Sequence, residues 1–173
     1  LRAMLRMGVH MNPDIAILLK HINQQLHEDL PDGRFITTWI GQIDGPGRAL
    51  QYFSAGQAPL IHYVSDHDEV NLMRAYTYPL GITDELPVDT INRIKMRPGD
   101  MFAVISDGIF EAMNHAEELF GTDRVIEIIR QGRKASSQEI INTIRRGVEN
   151  FTAGLPASDD RTIILIKAQN SGN

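Results

Sequence analysis

Cysteine is absent from all 173 residues. That excludes disulfides, thiolate zinc sites and a cysteine nucleophile, and it fits a reducing compartment, so the cytoplasm is the expected location. No apolar run approaches the roughly 18 residues of a membrane-spanning helix, and no charged-then-apolar signal segment opens the chain, so no membrane association is expected. Clustered basic charge is missing as well. Seventeen lysines and arginines stand against 22 aspartates and glutamates, for a net charge of -5. Arg130 to Lys134 and Arg145-Arg146 are too sparse for a face that binds a phosphate backbone, which argues against nucleic acid. The histidines (His10, His21, His27, His62, His67, His115) show no zinc-type spacing, and His21 and His27 fall off a common helix face. Ser54 and Ser106 lack a Gly-x-Ser-x-Gly elbow, so neither reads as a nucleophile, and a hydroxyl in a strand-end turn is the expected role of Ser106. Pro46-Gly47-Arg48 lacks the Lys-Ser/Thr of a phosphate loop and reads as a hairpin tip. There is no internal repeat and no low-complexity tract.

What is present, 42% hydrophobic and 23% charged residues, is the profile of one globular domain with one core. The expected domain runs over residues 1–168, with 169–173 a polar tail. Leu1, Met4 and Leu5 have helical spacing with nothing before them to cap a helix, so the segment reads as the tail of a helix from a longer chain. Met4, Met7 and Met11 are expected to pack against strands. Asn12 is the expected N-cap, with Pro13 at the first helical position, of an amphipathic helix carrying Ile15, Leu18, Leu19, Ile22, Leu26 and Leu30 on one face. The period then becomes extended. Phe35 to Ile43 and Ala49 to Ser54 read as one hairpin, Leu60 to Val64 and Val70 to Arg74 as a second, and Val88 to Met96 and Met101 to Ile105 as further strands, up to six in an antiparallel meander by simple succession. Helical pattern returns at Ile109 to Met113 and Thr122 to Gln131. A capping box, Ser136 with Glu139, opens a third helix with Ile140, Ile141, Ile144, Val148 and Phe151 on its face. Thr162 to Lys167 is the last strand. The class is α+β, with antiparallel strands in the middle and helices at both ends.

The chain is organised around MFAVISDGIFEA, Met101 to Ala112. Five apolar residues make a buried strand, and Ser106-Asp107-Gly108 leaves a carboxylate where it ends. Asp-Gly alone is also ordinary turn chemistry. Far along the chain, Asp159-Asp160-Arg161-Thr162 places two acids before the last strand; by itself this reads equally as a solvated loop with a weak Asp160–Arg161 pair. If the two segments meet, they form an all-oxygen site suited to magnesium or manganese, which take few carboxylates and keep several waters. Such a site could activate water against a phosphate ester.

With those residues in place the sequence resembles the bacterial SpoIIE-type branch of the metal-dependent serine/threonine protein phosphatases (PPM superfamily), which includes the stress-sigma-factor regulator phosphatases. The matching stretches are PDGRFITTWIGQID (Pro31 to Asp44), LQYFSAGQAPLIHY (Leu50 to Tyr63), PLGI (Pro79 to Ile82), RPGDMFAVISDGIFEAMN (Arg97 to Asn114), Phe120-Gly121 and DDRTIILIK (Asp159 to Lys167), in family order over nearly the whole chain. The resemblance implies a four-layer αββα fold, an antiparallel β-sandwich flanked by helices, with two Mn2+ or Mg2+ ions at one edge in the complete domain. It makes Asp107 a metal ligand through the Ser-Asp-Gly motif, with Ser106 and Gly108 as structural neighbours. Asp159 is a second ligand as the first acid of the Asp-Asp-x-Thr motif, and Asp160 stands at that motif's variable position. The implied reaction is hydrolysis of phosphoserine or phosphothreonine by in-line attack of an activated water, without a covalent enzyme intermediate. The implied substrate is a small phosphorylated regulator of the anti-anti-sigma kind in a sigma-factor or stress-response pathway, with a sensor or receiver domain preceding the phosphatase.

Two departures accompany the match. The family's N-terminal strands, with the Gly-Asp-Val-Ser-Gly-His-Gly motif that supplies a bridging aspartate, have no counterpart. The chain is then a fragment, a chain without its first strands, or a degenerate member, and these residues alone are expected to be inactive because half of the metal site is absent. A degenerate phosphatase-like module that binds a signalling partner is the alternative reading. The second departure is Gln57-Ala58 where the family has His-Pro, which reads as a tuned loop.

Overall fold

Apolar periodicity sorts the described residues of a computed structural model, 1–11, 14–45, 48–87 and 91–169, into seven strands and five helices. Two compact units divide them: Leu1–Gln57 with Ala75–Lys95, and Ala58–Arg74 with Met96–Asn173. The first carries helices α1 (Arg2–His10) and α2 (Ile15–Asp29) and strands β1 (Thr38–Asp44), β2 (Ala49–Ala55) and β5 (Asn92–Lys95), in an antiparallel sheet of order β1-β2-β5. The second carries β3 (Leu60–Val64), β4 (Glu69–Met73), β6 (Met101–Ile105) and β7 (Ile163–Lys167), antiparallel in the order β4-β3-β6-β7, with helices α3 (Asp107–Phe110), α4 (Gly121–Gln131) and α5 (Ser137–Thr152). The α+β class with antiparallel sheets is as expected. The simple meander is not: both hairpins form, but β5 returns to β2 and β6 pairs with β3 across a long connection. Alternation of apolar residues marks a segment as a strand without naming its neighbour, so succession in the chain misassigned the partners.

In the first unit, Leu19, Ile22 and Leu26 of α2 pack with Phe53, Ala55, Leu80 and Leu86. The cap of α2 corrects the sequence reading. Asn12 and Pro13 lie outside the described residues, and the N-cap is Asp14, whose carboxylate accepts from the Ala16 N–H at 2.7 Å. The first methionines also differ from expectation, since Met4 packs against the core while Met7 and Met11 are exposed. The expected strand from Phe35 begins at Thr38, with Phe35 exposed and Ile36 bridged to Leu80; the one expected from Val88 to Met96 is confined to Asn92–Lys95 among the described residues.

The most buried polar side chain of α2 was invisible in the sequence. Asn23 has no exposed surface, yet its amide donates to the Thr83 and Asp84 carbonyls at 2.9 and 3.1 Å and accepts from the Gly81 N–H at 2.9 Å. Next to it, His27 Nδ1 lies 3.0 Å from the Gly81 carbonyl. An amide with both donor and acceptor functions matches a loop that presents both, which no apolar residue could do.

In the second unit β6 is buried along its whole length. Met101, Ala103 and Ile105 join Ile61 and Tyr63 of β3 and Val125, Ile129, Ile140, Ile144 and Val148 of the helices in one core. Full burial of each such large aliphatic or aromatic side chain stabilises by about 1.5–3 kcal/mol. The start of β6 is fixed by Asp100, only 2% exposed, whose carboxylate accepts from the Ser65 and Arg97 N–H groups at 2.9 and 2.7 Å. Gly99 before it has φ of +92°, and a Cβ there would meet Ser65 Oγ at 2.6 Å, so glycine is required on both counts. The capping box of α5 is present as expected, with Ser136 and Glu139 bonded reciprocally.

Two measurements check this packing. Asn23→Ala removes three hydrogen bonds from the 81–84 loop and is expected to cost about 1–3 kcal/mol, read as a lower urea midpoint at unchanged slope. His62, on β3, has an Nε2 without a hydrogen-bond partner among the described residues. Burial pushes its imidazole below the ordinary 6.5, partly offset by the Asp100 carboxylate. The unfolded chain therefore takes up this proton first, so stability is present above pH 6.5 and is lost as pH falls through the lower folded value. In urea titrations at neutral and mildly acidic pH, His62→Gln should lose less stability on acidification than the wild type; an equal loss would refute this.

Candidate functional site

The pairing of β6 with β7 carries the two acidic segments to one place. Its register runs from Met101 opposite Lys167 to Ile105 opposite Ile163, and the ladder continues one step as the Ser106 N–H donates to the Thr162 carbonyl at 3.0 Å. Beyond that step both chains turn. Asp107 opens the short helix α3, and Asp159 and Asp160 lie on the loop leading into β7.

Ser106 ties the two turns together. Its Oγ donates to the Asp160 carbonyl at 3.0 Å and accepts from the Thr162 N–H at 2.9 Å. Gly108 then lets the loops touch: a Cβ there would stand 2.4 Å from the Asp160 carbonyl oxygen and 3.2 Å from the Asp159 carbonyl carbon. The expected meeting of the Ser-Asp-Gly and Asp-Asp-Arg-Thr segments thus takes place, backbone against backbone.

Asp107 and Asp159 are both exposed. Each spends one carboxylate oxygen on the next residue's N–H, Asp107 on Gly108 at 3.0 Å and Asp159 on Asp160 at 2.7 Å. These short-range bonds orient the side chains without using up their acceptor capacity. Asp160 contributes through its main chain, as acceptor for Ser106 and donor to Asp159. No ion pair joins it to Arg161 among the described residues, where the sequence offered one.

The donor set fits a hard divalent cation. Oxygen ligands from one or two carboxylates, leaving room for water and a phosphate, are what magnesium and manganese take. Among the described residues no cluster of three or more histidines, cysteines, aspartates or glutamates is placed to hold a metal ion. Of the other sequence candidates, Ser54 is fully buried and donates to the Gln57 carbonyl, which gives it a structural task. Sequence reasoning missed the neighbouring cleft of about 370 Å³ bordered by Ile109, Ile141, Val148, Arg161 and Ile163, with Arg161 Nε unpartnered among the described residues.

The fold is that of the PP2C phosphatase domains. The SiaA-PP2C domain of Pseudomonas aeruginosa superposes with a TM-score of 0.73 at 19% identity, over 88% of this chain and 60% of that one. The phosphatase domain of SpoIIE from Bacillus subtilis, presoaked with manganese, superposes with a TM-score of 0.60 at 22% identity, over 93% and 69%.

Within that class the chain belongs to the SpoIIE family, whose model, Stage II sporulation protein E, matches residues 1–169. Stage II sporulation protein E of Priestia megaterium is 28% identical over 90% of this chain and 26% of its own length. Phosphoserine phosphatase RsbU of Bacillus subtilis is 22% identical over 92% of this chain and 46% of its own length. The chain therefore spans a quarter to a half of these two relatives. No helix among the described residues is long and apolar enough to cross a membrane.

The tight approach at Gly108 is directly testable. Gly108→Ala sets a methyl against backbone, which cannot swing aside as a flexible side chain would, and should cost about 1–3 kcal/mol. A thermal unfolding midpoint equal to the wild type's would show that the two turns are not in contact.

Proposed function

We propose that this chain is part of a phosphatase domain that hydrolyses phosphoserine or phosphothreonine on a small signalling protein, with Mn2+ or Mg2+ held by Asp107 and Asp159. The observation that carries the reading is the meeting, through the Ser106 contact, of the two turns that bear these acids, in a member of the SpoIIE family. The similarity to phosphoserine phosphatase RsbU, to the manganese-presoaked phosphatase domain of SpoIIE and to RsbX in complex with magnesium supports it.

In this reading Asp107 and Asp159 are the metal ligands, and Asp160 acts through its main chain. A bound divalent ion supplies positive charge to a phosphoryl oxygen and acidifies water. The protein's part is to present two carboxylates on turns anchored at the end of the β6–β7 pair, so that little reorganisation is needed as charge develops. Two aspartates are fewer than a two-ion centre takes, and the remaining ligands come from outside these residues. The substrate is a phosphorylated regulator of the anti-anti-sigma kind in a partner-switching pathway of the cytoplasm, with a sensor or receiver domain in the same polypeptide.

The test uses the full natural chain. Manganese-dependent release of phosphate from a phosphoserine protein is expected, and Asp107→Asn and Asp159→Asn should each lower kcat/KM at least about a hundredfold, beyond the roughly 10–100-fold typical of losing an outer-shell partner. Activity unchanged in either variant overturns the assignment. Partner binding with no metal-dependent hydrolysis would instead favour a module that binds without catalysis.

A further inference from the structure

We propose that Ser106 is a positioning residue whose hydroxyl sets the separation of the Asp107 and Asp159 carboxylates, an inference that rests on the reading of those aspartates as metal ligands. Ser106 stands at the N-cap of α3, where a serine side chain ordinarily accepts a hydrogen bond from an N–H in the first helical turn. It makes no such bond. The hydroxyl is turned instead to the opposing loop, where it uses both of its functions: the O–H donates to the Asp160 carbonyl and the oxygen accepts from the Thr162 N–H. The helix start is served by other groups, with the Ile109 N–H donating to the Ser106 carbonyl at 3.1 Å and the Gly108 N–H to the Asp107 carboxylate.

The position of these contacts is what gives them consequence. Ser106 immediately precedes Asp107, and its acceptor, the Asp160 carbonyl, belongs to the residue immediately after Asp159. One hydroxyl thus links the backbone next to one acid with the backbone next to the other. β-Ladder hydrogen bonds end at Thr162, so among the described residues the stretch 159–161 without the hydroxyl keeps the Asp159–Asp160 hydrogen bond within itself, the packing against Gly108 and the seat of Arg161 in its cleft. Both loops are exposed there, and water would compete for every freed group. A carboxylate pair on a loop with that freedom loses the preorganisation that ligand sets depend on.

The experiment compares Ser106→Ala with Ser106→Thr, which keeps the hydroxyl, in the full natural chain. Mn2+ affinity is measured by calorimetric titration, and amide hydrogen exchange of residues 159–162 is followed without metal. Ser106→Ala should weaken Mn2+ binding about tenfold or more and speed exchange at the Thr162 amide, while its metal-free melting temperature falls by no more than about 2–4 °C. Ser106→Thr should restore both affinity and protection. Wild-type Mn2+ affinity in Ser106→Ala, or unchanged exchange at Thr162, overturns the proposal, as does failure of threonine to rescue. Asp107→Asn separates metal binding from the role of the hydroxyl. If the wild type and Asp107→Asn take up Mn2+ equally, the metal reading fails, and faster exchange in Ser106→Ala then assigns the hydroxyl to stability alone.

Discussion

The antiparallel register of β6 on β7 is the constraint on which the candidate site depends. With Ile105 opposite Ile163, the next step sets Ser106 against Thr162, and two steps further Gly108 meets Asp160. Side chains alternate between faces with a period of two, so a slip of one residue in β7 would turn its inward set away from the core. The burial of Met101, Ala103 and Ile105 therefore does more than stabilise a sheet. It selects the one alignment in which the two acidic turns arrive side by side.

That division of labour separates strength from precision. The core of the second unit holds the strands through dispersion and apolar burial, which are non-directional and act on any well-packed arrangement. Direction comes from a few polar contacts at the strand ends. Asp100 fixes where β6 begins through two backbone N–H groups, and Ser106 fixes how it ends through one donor and one acceptor. Asn23 plays the same kind of part in the first unit, holding the 81–84 loop to α2. In each case a buried or half-buried polar side chain satisfies backbone groups that no regular element serves.

Elements with strong local signals were legible in the sequence. The amphipathic face of α2, the Ser136–Glu139 capping box, the hairpins and the apolar run of β6 all rest on interactions within about 4–6 residues or on one period of burial. The N-cap of α2 was misplaced because Asn12 and Asp14 are both good caps and local chemistry does not choose between them. Met7 and Met11 were misread because a methionine's spacing does not say whether another element covers it. The pairing of β5 with β2 and of β6 with β3 was not legible either, since partner choice is settled by which faces bury together and by closure of long connections.

The site divides along the same line. Asp107 was marked by a strand that ends in a carboxylate, and Asp159 by acids placed directly before a strand; the ordered motifs then named the family. What the sequence by itself determined was the set of chemical groups and the elements that bear them. Only the tertiary structure decided that these groups meet, that Asp160 contributes its carbonyl, and that the Ser106 hydroxyl is drawn away from its own helix to join the turns. The physical reason is that segments some fifty residues apart have no local coupling. Their distance is set by the register of a sheet, and register is a property of the whole core.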